Sequence, residues 1–300
     1  EYPEISVSKP WHELTIDEMV PILEKYGDVV AEELLATGVK VNVWDVGNEV
    51  NFGVAGVAVK PLPKAIDNEM GENWYRPPDK VNPEIGNLDV YSCLIMETDI
   101  LVGWMETNLW PYQARLMNAV KTGILKADRG AKFSTHVTYA ENTIFTTAFF
   151  KAMIENGFAP DVAGVSYYPS SLVDTKGRLT DFKSTVRCLY HEMGLPVFIA
   201  EYAYPDYSAG TVADGPYKDW NNKVGNYEMD ISGQAAFLHD LASWGSLNGI
   251  CGIRPWAPEL LVLWKEFSMF SLTGSTAKAL PVIDSISTGL KNPSTEVLYE

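Results

Sequence analysis

Apolar residues along this chain alternate between segments with the spacing of a helix and short runs that are typical of a strand. From Thr15 to about Ala36, apolar residues recur at helical spacing, and Thr15 with the acids that follow it marks a helix start. A short run rich in Val and Trp, 41–50, comes next and stops at Gly47-Asn48-Glu49. Such a run predicts a buried strand of a parallel sheet.

The same order of helix and strand continues to the end of the chain. Further strands are predicted at 131–137, 160–168, 196–201 and 249–255. Further helices are predicted at about 108–128, 143–156, 180–193 and 231–245, with a tail helix near 281–287. Five strands separated by helices are typical of a parallel sheet covered by helices.

Two folds have such a covered parallel sheet, the doubly wound sheet and the barrel, and the lack of phosphate-binding loops favours the barrel. No G-x-G-x-x-G or Walker loop follows a predicted strand, which weakens a nucleotide-binding, doubly wound sheet. We therefore predict an α/β fold of the TIM (β/α)₈ barrel type, with only about five of its eight βα units evident. A long inserted loop is predicted at about 51–107, with an apolar stretch at 88–104 that could form a helix.

Composition and charge restrict the partners. The net charge of −16 argues against nucleic acid and anionic membranes, while aromatic residues, 12% of the chain, suit stacking on neutral sugar rings. The three cysteines form neither a zinc pattern nor a disulfide framework, and no run is long enough to span a membrane. No cofactor or metal is predicted, although the loop acids Asp206, Asp214 and Glu259 could hold a structural Ca²⁺.

Two predicted strands end in a glutamate. Glu49 closes the run at 41–50, and Glu201 closes the run at 196–201. Because parallel strands of a barrel carry their chemistry at their C-terminal ends, the two carboxylates could face each other, as glycoside hydrolysis requires. The alternative is that each is a helix cap or a surface carboxylate.

Several sequence motifs, taken together and in their order along the chain, resemble the characteristic motifs of glycoside hydrolase family 53, the endo-β-1,4-galactanases. These are Gly47-Asn48-Glu49, 108–111, the strand-end His136, 161–169, 198–205, 232–235 and 254–259. The resemblance implies a retaining endo-glycosidase that cleaves β-1,4-linked galactan or a related plant cell-wall polysaccharide through a covalent glycosyl-enzyme intermediate. It also implies a single catalytic domain, 1–300, covering the fourth to eighth strands of the barrel.

The resemblance further implies a role for each matching residue. Glu49 would be the proton donor and Glu201 the nucleophile, and Asn48 would bind the hydroxyl next to the bond that breaks. The remaining predicted substrate-binding residues are His136, Tyr168 and Trp256, which would line the subsite of the cleaved sugar, together with Trp110, Tyr204 and Arg254.

The chain departs from the family pattern in three places. About fifty residues separate Glu49 from the 108–111 motif, and Arg254 brings a positive charge near the subsite, where it could pair with Glu201 or meet an acidic sugar. The first three barrel strands are not evident. We expect a further ~80 residues upstream, estimated from three βα units of such a barrel, or strands from elsewhere in the molecule.

Two alternatives stay open. The chain could be a non-catalytic carbohydrate-binding barrel, or a glycosidase that acts on a different, acidic polysaccharide. We expect a monomer that is secreted, periplasmic or at the cell surface, with its signal peptide absent from this chain.

Overall fold

The structure is a computed structural model that describes residues 5–7, 10–11, 14–58, 90–171, 174–207, 217–260, 264–269, 279–295 and 298. Its described helices are α1 (Ile16–Ala36), α2 (Val90–Met96), α3 (Thr98–Asn108), α4 (Trp110–Ala127), α5 (Thr143–Glu155), α6 (Thr175–Arg187), α7 (Ile231–Asn248) and α8 (Ala279–Lys291). Its described strands are β1 (Trp44–Asp45), β2 (Gly53–Val54), β3 (Val57–Ala58), β4 (Phe133–Val137), β5 (Val162–Tyr167), β6 (Val197–Tyr202) and β7 (Ile250–Pro255).

Five of these strands form one sheet in the order β1-β4-β5-β6-β7, which is their order along the chain. Strands β1 and β4 pair in parallel, with Asp45 opposite Ser134, and β6 and β7 also pair in parallel. A helix precedes each strand of the sheet, as the sequence predicted. The predicted α/β fold of the barrel type, with five βα units, is confirmed.

The described residues group into two compact units, of which the first comprises Glu1–Val137 and Ile144–Ala163. Its helices α1 and α4 pack along each other. Gly27 of α1 lies against the backbone of Val120, and Gly123 of α4 lies against the backbone of Glu24. A Cβ at either glycine would overlap those backbone atoms, so the two helices approach closely only because both positions lack a side chain.

The second unit comprises Thr138–Thr143 and Gly164–Glu300. Helix α7 packs against α8, and Phe237 of α7 contacts the rings of Tyr202, Tyr204 and Tyr227. Asp230 caps the N-terminus of α7, where its carboxylate accepts a hydrogen bond from the Gly233 backbone N–H. The prediction of a single domain over 1–300 is not tested by this grouping and stays a prediction.

The elements differ in detail from the sequence predictions. The run at 41–50 forms only a two-residue strand, because Gly47 (φ 93°) and Glu49 (φ 49°) leave the extended conformation. The apolar stretch at 88–104 gives two helices, α2 and α3. Helix α6 begins earlier than predicted and continues into a π-helical turn, Cys188–Glu192.

The predicted insertion contains structure that the sequence did not indicate. Strands β2 and β3 form an antiparallel hairpin directly after a 3₁₀ turn, Val50–Phe52. Most of the rest of the insertion, 59–89, lies outside the described residues. Among the helices described, none is long and apolar enough to cross a membrane.

Candidate active site

Glu49 lies on a tight turn at the end of β1. It precedes the 3₁₀ turn Val50–Phe52 and has left-handed backbone angles, φ 49° and ψ 48°. This conformation is uncommon for a residue with a side chain. Asn48 is exposed and Glu49 half-buried, so both predicted residues reach solvent.

Two side chains of helix α4 hold this turn in place through hydrogen bonds to its backbone. The indole N–H of Trp110 donates to the Asn51 carbonyl (3.0 Å), and the side-chain amide of Gln113 donates to the Val50 carbonyl. Trp110 is fully buried and packs against Phe145, with ring centroids 5.5 Å apart. Its placement favours support of the Glu49 turn over the direct contact with substrate that the sequence predicted.

His136 lies on β4 and is almost completely buried. Its Nδ1 is 2.7 Å from Oδ2 of Asp45 on the neighbouring strand β1. The other carboxylate oxygen of Asp45, Oδ1, accepts a hydrogen bond from the Ser134 hydroxyl (2.7 Å). Asp45 therefore holds two side chains of β4 at once.

Glu201 lies near the end of β6 and is 7% exposed. The Tyr168 hydroxyl, just beyond the end of β5, donates to Oε2 of Glu201 over 2.7 Å. A buried carboxylate needs such partners, because desolvation disfavours its charge. Two residues that the sequence predicted for the site are thus in direct contact.

An aromatic cluster continues from Tyr168. The Tyr168 ring lies 4.9 Å from Trp220 and 6.3 Å from Trp264, between ring centroids, and Trp264 lies 4.7 Å from Trp256. Trp264 is buried, whereas Trp220 and Trp256 are half-buried. The cluster formed by Tyr168, Trp220, Trp256 and Trp264 therefore presents aromatic surface beside Glu201.

Tyr204 is placed differently from Tyr168. It is fully buried; its hydroxyl donates to the Tyr227 carbonyl (2.7 Å) and accepts from the Val224 backbone N–H (3.2 Å). Burial raises the pKa of Tyr204 to about 12, so the phenol stays neutral. As with Trp110, this placement favours a supporting role over direct contact with substrate.

Arg254 lies on β7. Its Nε donates to the Ala200 carbonyl (2.7 Å), and its guanidinium lies 5.7 Å from the centroid of the Phe198 ring. The residue is exposed, and within the described part of the chain no carboxylate forms an ion pair with it. The predicted pairing with Glu201 is therefore not seen, and the predicted contact with substrate stays a prediction.

Sequence reasoning missed several residues of this region. Trp220 and Trp264 lie in the long loops that follow β6 and β7. In such loops, composition alone does not show whether a Trp side chain is available to stack on a sugar or is packed in the core. Asp45 did carry a signal, because an acid inside an otherwise apolar strand needs a buried partner.

The described residues include only some of the loop acids that could hold a structural Ca²⁺. Within the described ranges, no group of three or more His, Cys, Asp or Glu side chains could hold a metal ion. Asp214 lies outside the described residues. The absence of a cofactor stays a prediction.

Comparison with known proteins gives both a family and a fold. The glycosyl hydrolase family 53 profile matches residues 79–285. None of the curated proteins compared with the chain matches it.

Solved structures share the fold at low sequence identity. The family 53 catalytic domain of Ignisphaera aggregans superposes with a TM-score of 0.64 at 18% identity, covering 94% of this chain and 69% of that one. A fungal β-1,4-galactanase gives 0.62 at 16% identity, covering 92% and 71%. An endo-1,4-β-xylanase from Caldicellulosiruptor owensensis gives 0.51 at 14% identity, covering 90% and 69%.

Proposed function

Since the chain belongs to glycosyl hydrolase family 53, we propose that it is an endo-acting glycosidase that cleaves β-1,4-linked galactan or a related plant cell-wall polysaccharide. Family and fold support a glycoside hydrolase. The observation that carries the proposal is Glu201, a buried carboxylate near a strand end that accepts a hydrogen bond from Tyr168 beside half-buried aromatic rings.

The proposed reaction retains the configuration of the sugar in two steps. In the first, a Glu201 oxygen forms a bond to the anomeric carbon while the bond from that carbon to the leaving oxygen breaks. Glu49 gives its proton to that oxygen. In the second, Glu49 takes a proton from water, the water oxygen bonds to the anomeric carbon, and Glu201 leaves as a carboxylate.

The surrounding residues have distinct proposed tasks. The Tyr168 hydroxyl fixes the Glu201 carboxylate through its bond to Oε2, since a hydrogen bond to a charged acceptor is strong and directional. Trp220 and Trp256 offer ring faces on which a sugar can stack. Asn48 binds a sugar hydroxyl group, while the buried side chains of His136, Trp110 and Tyr204 support the surrounding strands and loops from the core.

The test is hydrolysis of a polysaccharide panel that includes β-1,4-galactan, xylan and an acidic pectin. We compare the wild type with Glu201→Gln and with Glu259→Gln, a matched control because Glu259 is exposed in the loop after β7. Loss of the nucleophile should lower turnover on the order of 10⁴-fold or more, and the control should retain it. NMR of the first reducing ends released should show the same anomer as the substrate linkage.

The outcomes of this test distinguish an enzyme that uses Glu201 as its nucleophile from the alternatives. Galactan cleavage that survives Glu201→Gln would remove Glu201 as the nucleophile. Turnover of no polymer, with binding retained, would favour the non-catalytic carbohydrate-binding protein.

A second candidate substrate is an acidic polysaccharide. The exposed guanidinium of Arg254, held by the Ala200 carbonyl and without a carboxylate among its described partners, favours it. Arg pairs well with carboxylate and sulfate groups because its N–H donors form a fork. Preference for the acidic pectin over galactan in the same panel would support this candidate.

We further propose that the protein acts as a monomer outside the cytoplasm, where its polymeric substrate occurs.

A further inference from the structure

Strands β6 and β7 lose their regular pairing at Glu201. On β6 the paired residues stop at 199 and resume at 202, whereas on β7 they stop at 253 and resume at 255. Two residues of β6, Ala200 and Glu201, therefore stand opposite one residue of β7, Arg254. Two residues against one form a β-bulge, which bends its strand and changes the direction of a side chain. Glu201 thus leaves the sheet from a bulge.

The side chain of Arg254 contacts β6 at this bulge. Its Nε donates to the Ala200 carbonyl over 2.7 Å, and its guanidinium lies 5.7 Å from the centroid of the Phe198 ring. Hydrogen bonds from a charged donor are short and strong, and the face of an aromatic ring attracts a guanidinium. The two contacts hold the Arg254 side chain along β6, on the residues that lead into the bulge.

The Ala200 carbonyl belongs to the same peptide group as the backbone nitrogen of Glu201. This group is planar, so a bond that fixes its oxygen also fixes the direction in which the Glu201 backbone continues. At the other end of the Glu201 side chain, Oε2 accepts the hydrogen bond from the Tyr168 hydroxyl (2.7 Å). Glu201 is therefore held at its backbone through Arg254 and at its carboxylate by Tyr168.

We propose that Arg254 is a positioning residue for Glu201, whose Nε–H keeps the bulge in the shape that places the carboxylate for attack on the anomeric carbon. The effect on turnover rests on the proposed function, whereas the bond to Ala200 does not. This task uses Nε alone. A contact with an acidic sugar would use the terminal Nη groups of the same guanidinium.

The first test measures the hydrogen exchange of arginine Nε–H groups by nitrogen-15 NMR in the substrate-free wild type. Arg129 is the comparison, because it is exposed and its guanidinium has no hydrogen-bond partner among the described residues. The signals lost in Arg254→Lys and in Arg129→Lys assign the two groups. The Nε–H of Arg254 should exchange more slowly, since a hydrogen bond protects it. Equal exchange at the two sites would overturn the proposal.

The second test compares Arg254→Lys with Arg254→Gln on galactan. Lys keeps the positive charge but has a methylene where Arg has Nε, whereas Gln has an amide nitrogen at that position and no charge. If the Nε–H positions Glu201, kcat of the Lys variant should fall about 10- to 100-fold with little change in KM, because a misplaced group reacts slowly. The Gln variant should lose several-fold less.

Cys251→Ala is the matched control on the same pair of strands. The Cys251 thiol also donates to a carbonyl of β6, that of Val197 (3.3 Å), but at the other irregularity of the pairing, away from Glu201. Its kcat should equal that of the wild type. An equal loss of kcat in this control would mean that any weakening of the two strands slows turnover, and would overturn the proposal.

Other results would also contradict the assignment. A Lys variant with full kcat, or a Gln variant less active than the Lys variant, would show that the charge of Arg254 acts rather than its Nε–H. A change in KM alone would make Arg254 a substrate contact instead of a positioning residue.

Failure of this inference and failure of the proposed function are distinguishable. A wild type that hydrolyses no polymer contradicts the proposed function, while the exchange measurement still tests the bond to Ala200. A wild type that cleaves galactan, together with a fully active Arg254→Lys variant, contradicts only the inference about Arg254.

Discussion

Tyr168 acts directly on Glu201, because its hydroxyl donates a 2.7 Å hydrogen bond to Oε2 of that carboxylate. The Tyr168→Phe variant keeps the ring in the aromatic cluster but removes the donor. A hydrogen bond to a charged group contributes about 1.5–3 kcal/mol, so kcat/KM should fall about 10- to 100-fold. Steady-state kinetics on the preferred polymer measure this loss.

The matched control for this variant is Tyr26→Phe. Tyr26 lies on α1 and is 39% exposed, so removal of its hydroxyl should leave kcat/KM unchanged. If Tyr168→Phe were as active as this control, the hydroxyl would not be needed to orient Glu201.

At the scale of single residues, the sequence pattern locates an acid near a strand end but does not separate half-buried from fully buried aromatic residues. Glu201 was predicted from its place near a strand end. The same reasoning could not separate Tyr168, which is half-buried and contacts Glu201, from Tyr204, which is in the core. That difference depends on Gln234 and Phe237 of α7, which hold Tyr204 by its carbonyl and its ring and are distant in the sequence.

At the scale of elements, the contact of α1 with α4 depends on glycine. In Gly123→Ala, the added Cβ would overlap the backbone of Glu24 and Asp28, so the helices would have to separate. We expect this variant to lower the free energy of unfolding by about 1–3 kcal/mol, as is usual for overpacking. Urea denaturation measures the change.

Gly103→Ala is the matched control for this substitution. Gly103 is also inside a helix, α3, but nothing lies within 4 Å of where its Cβ would be. Because Ala favours a helix over Gly, this variant should be more stable by up to about 1 kcal/mol. A loss of stability as large as that of Gly123→Ala would mean that helix packing is not the cause.

The N-terminus of α7 gives a prediction that depends on pH. The hydrogen bond from the Gly233 backbone N–H, with that from the Ser232 hydroxyl, lowers the pKa of Asp230 from its ordinary value. Asp230→Ala should lower the free energy of unfolding by about 1 kcal/mol at neutral pH. Since the folded-state pKa is depressed, this stabilisation is complete above the unfolded-state pKa and is lost as the pH falls through the folded-state pKa.

Urea denaturation of the wild type and the variant at neutral and acidic pH measures both effects. Asp230→Asn is the control, because its amide oxygen caps the helix but does not titrate. A difference between the wild type and Asp230→Ala that stayed constant into acid would exclude the carboxylate as its source.

The boundaries of elements followed local signals only in part. The strands predicted at 131–137 and 196–201 are present with nearly the predicted bounds, and their residues are buried on both faces of the sheet, the polar side chains of the first strand included. The run at 41–50 has the apolar pattern of a strand of similar length, but the turn at Gly47 and Glu49 shortens the strand to Trp44–Asp45. The turn is held by Trp110 and Gln113, which lie some sixty positions away.

At the scale of the whole molecule, the alternation of helix and strand predicted a parallel sheet covered by helices, and the lack of a phosphate-binding loop favoured the barrel type over a doubly wound sheet. Periodicity reports burial, and burial on both faces of a strand distinguishes a parallel sheet covered by helices. The family followed from the order of short motifs rather than from any one of them. The division into two compact units and the hairpin at 53–58 could not be predicted, because they depend on contacts that have no local period.

The left-handed backbone of Glu49 has a consequence for engineering. Glycine adopts this conformation without penalty, whereas a residue with a Cβ loses about 1 kcal/mol there. The position therefore favours glycine for stability and glutamate for the proposed proton transfer. Laboratory evolution that selects this protein for heat resistance alone would be drawn towards losing the residue that the proposed chemistry needs, so such a selection has to include an activity screen.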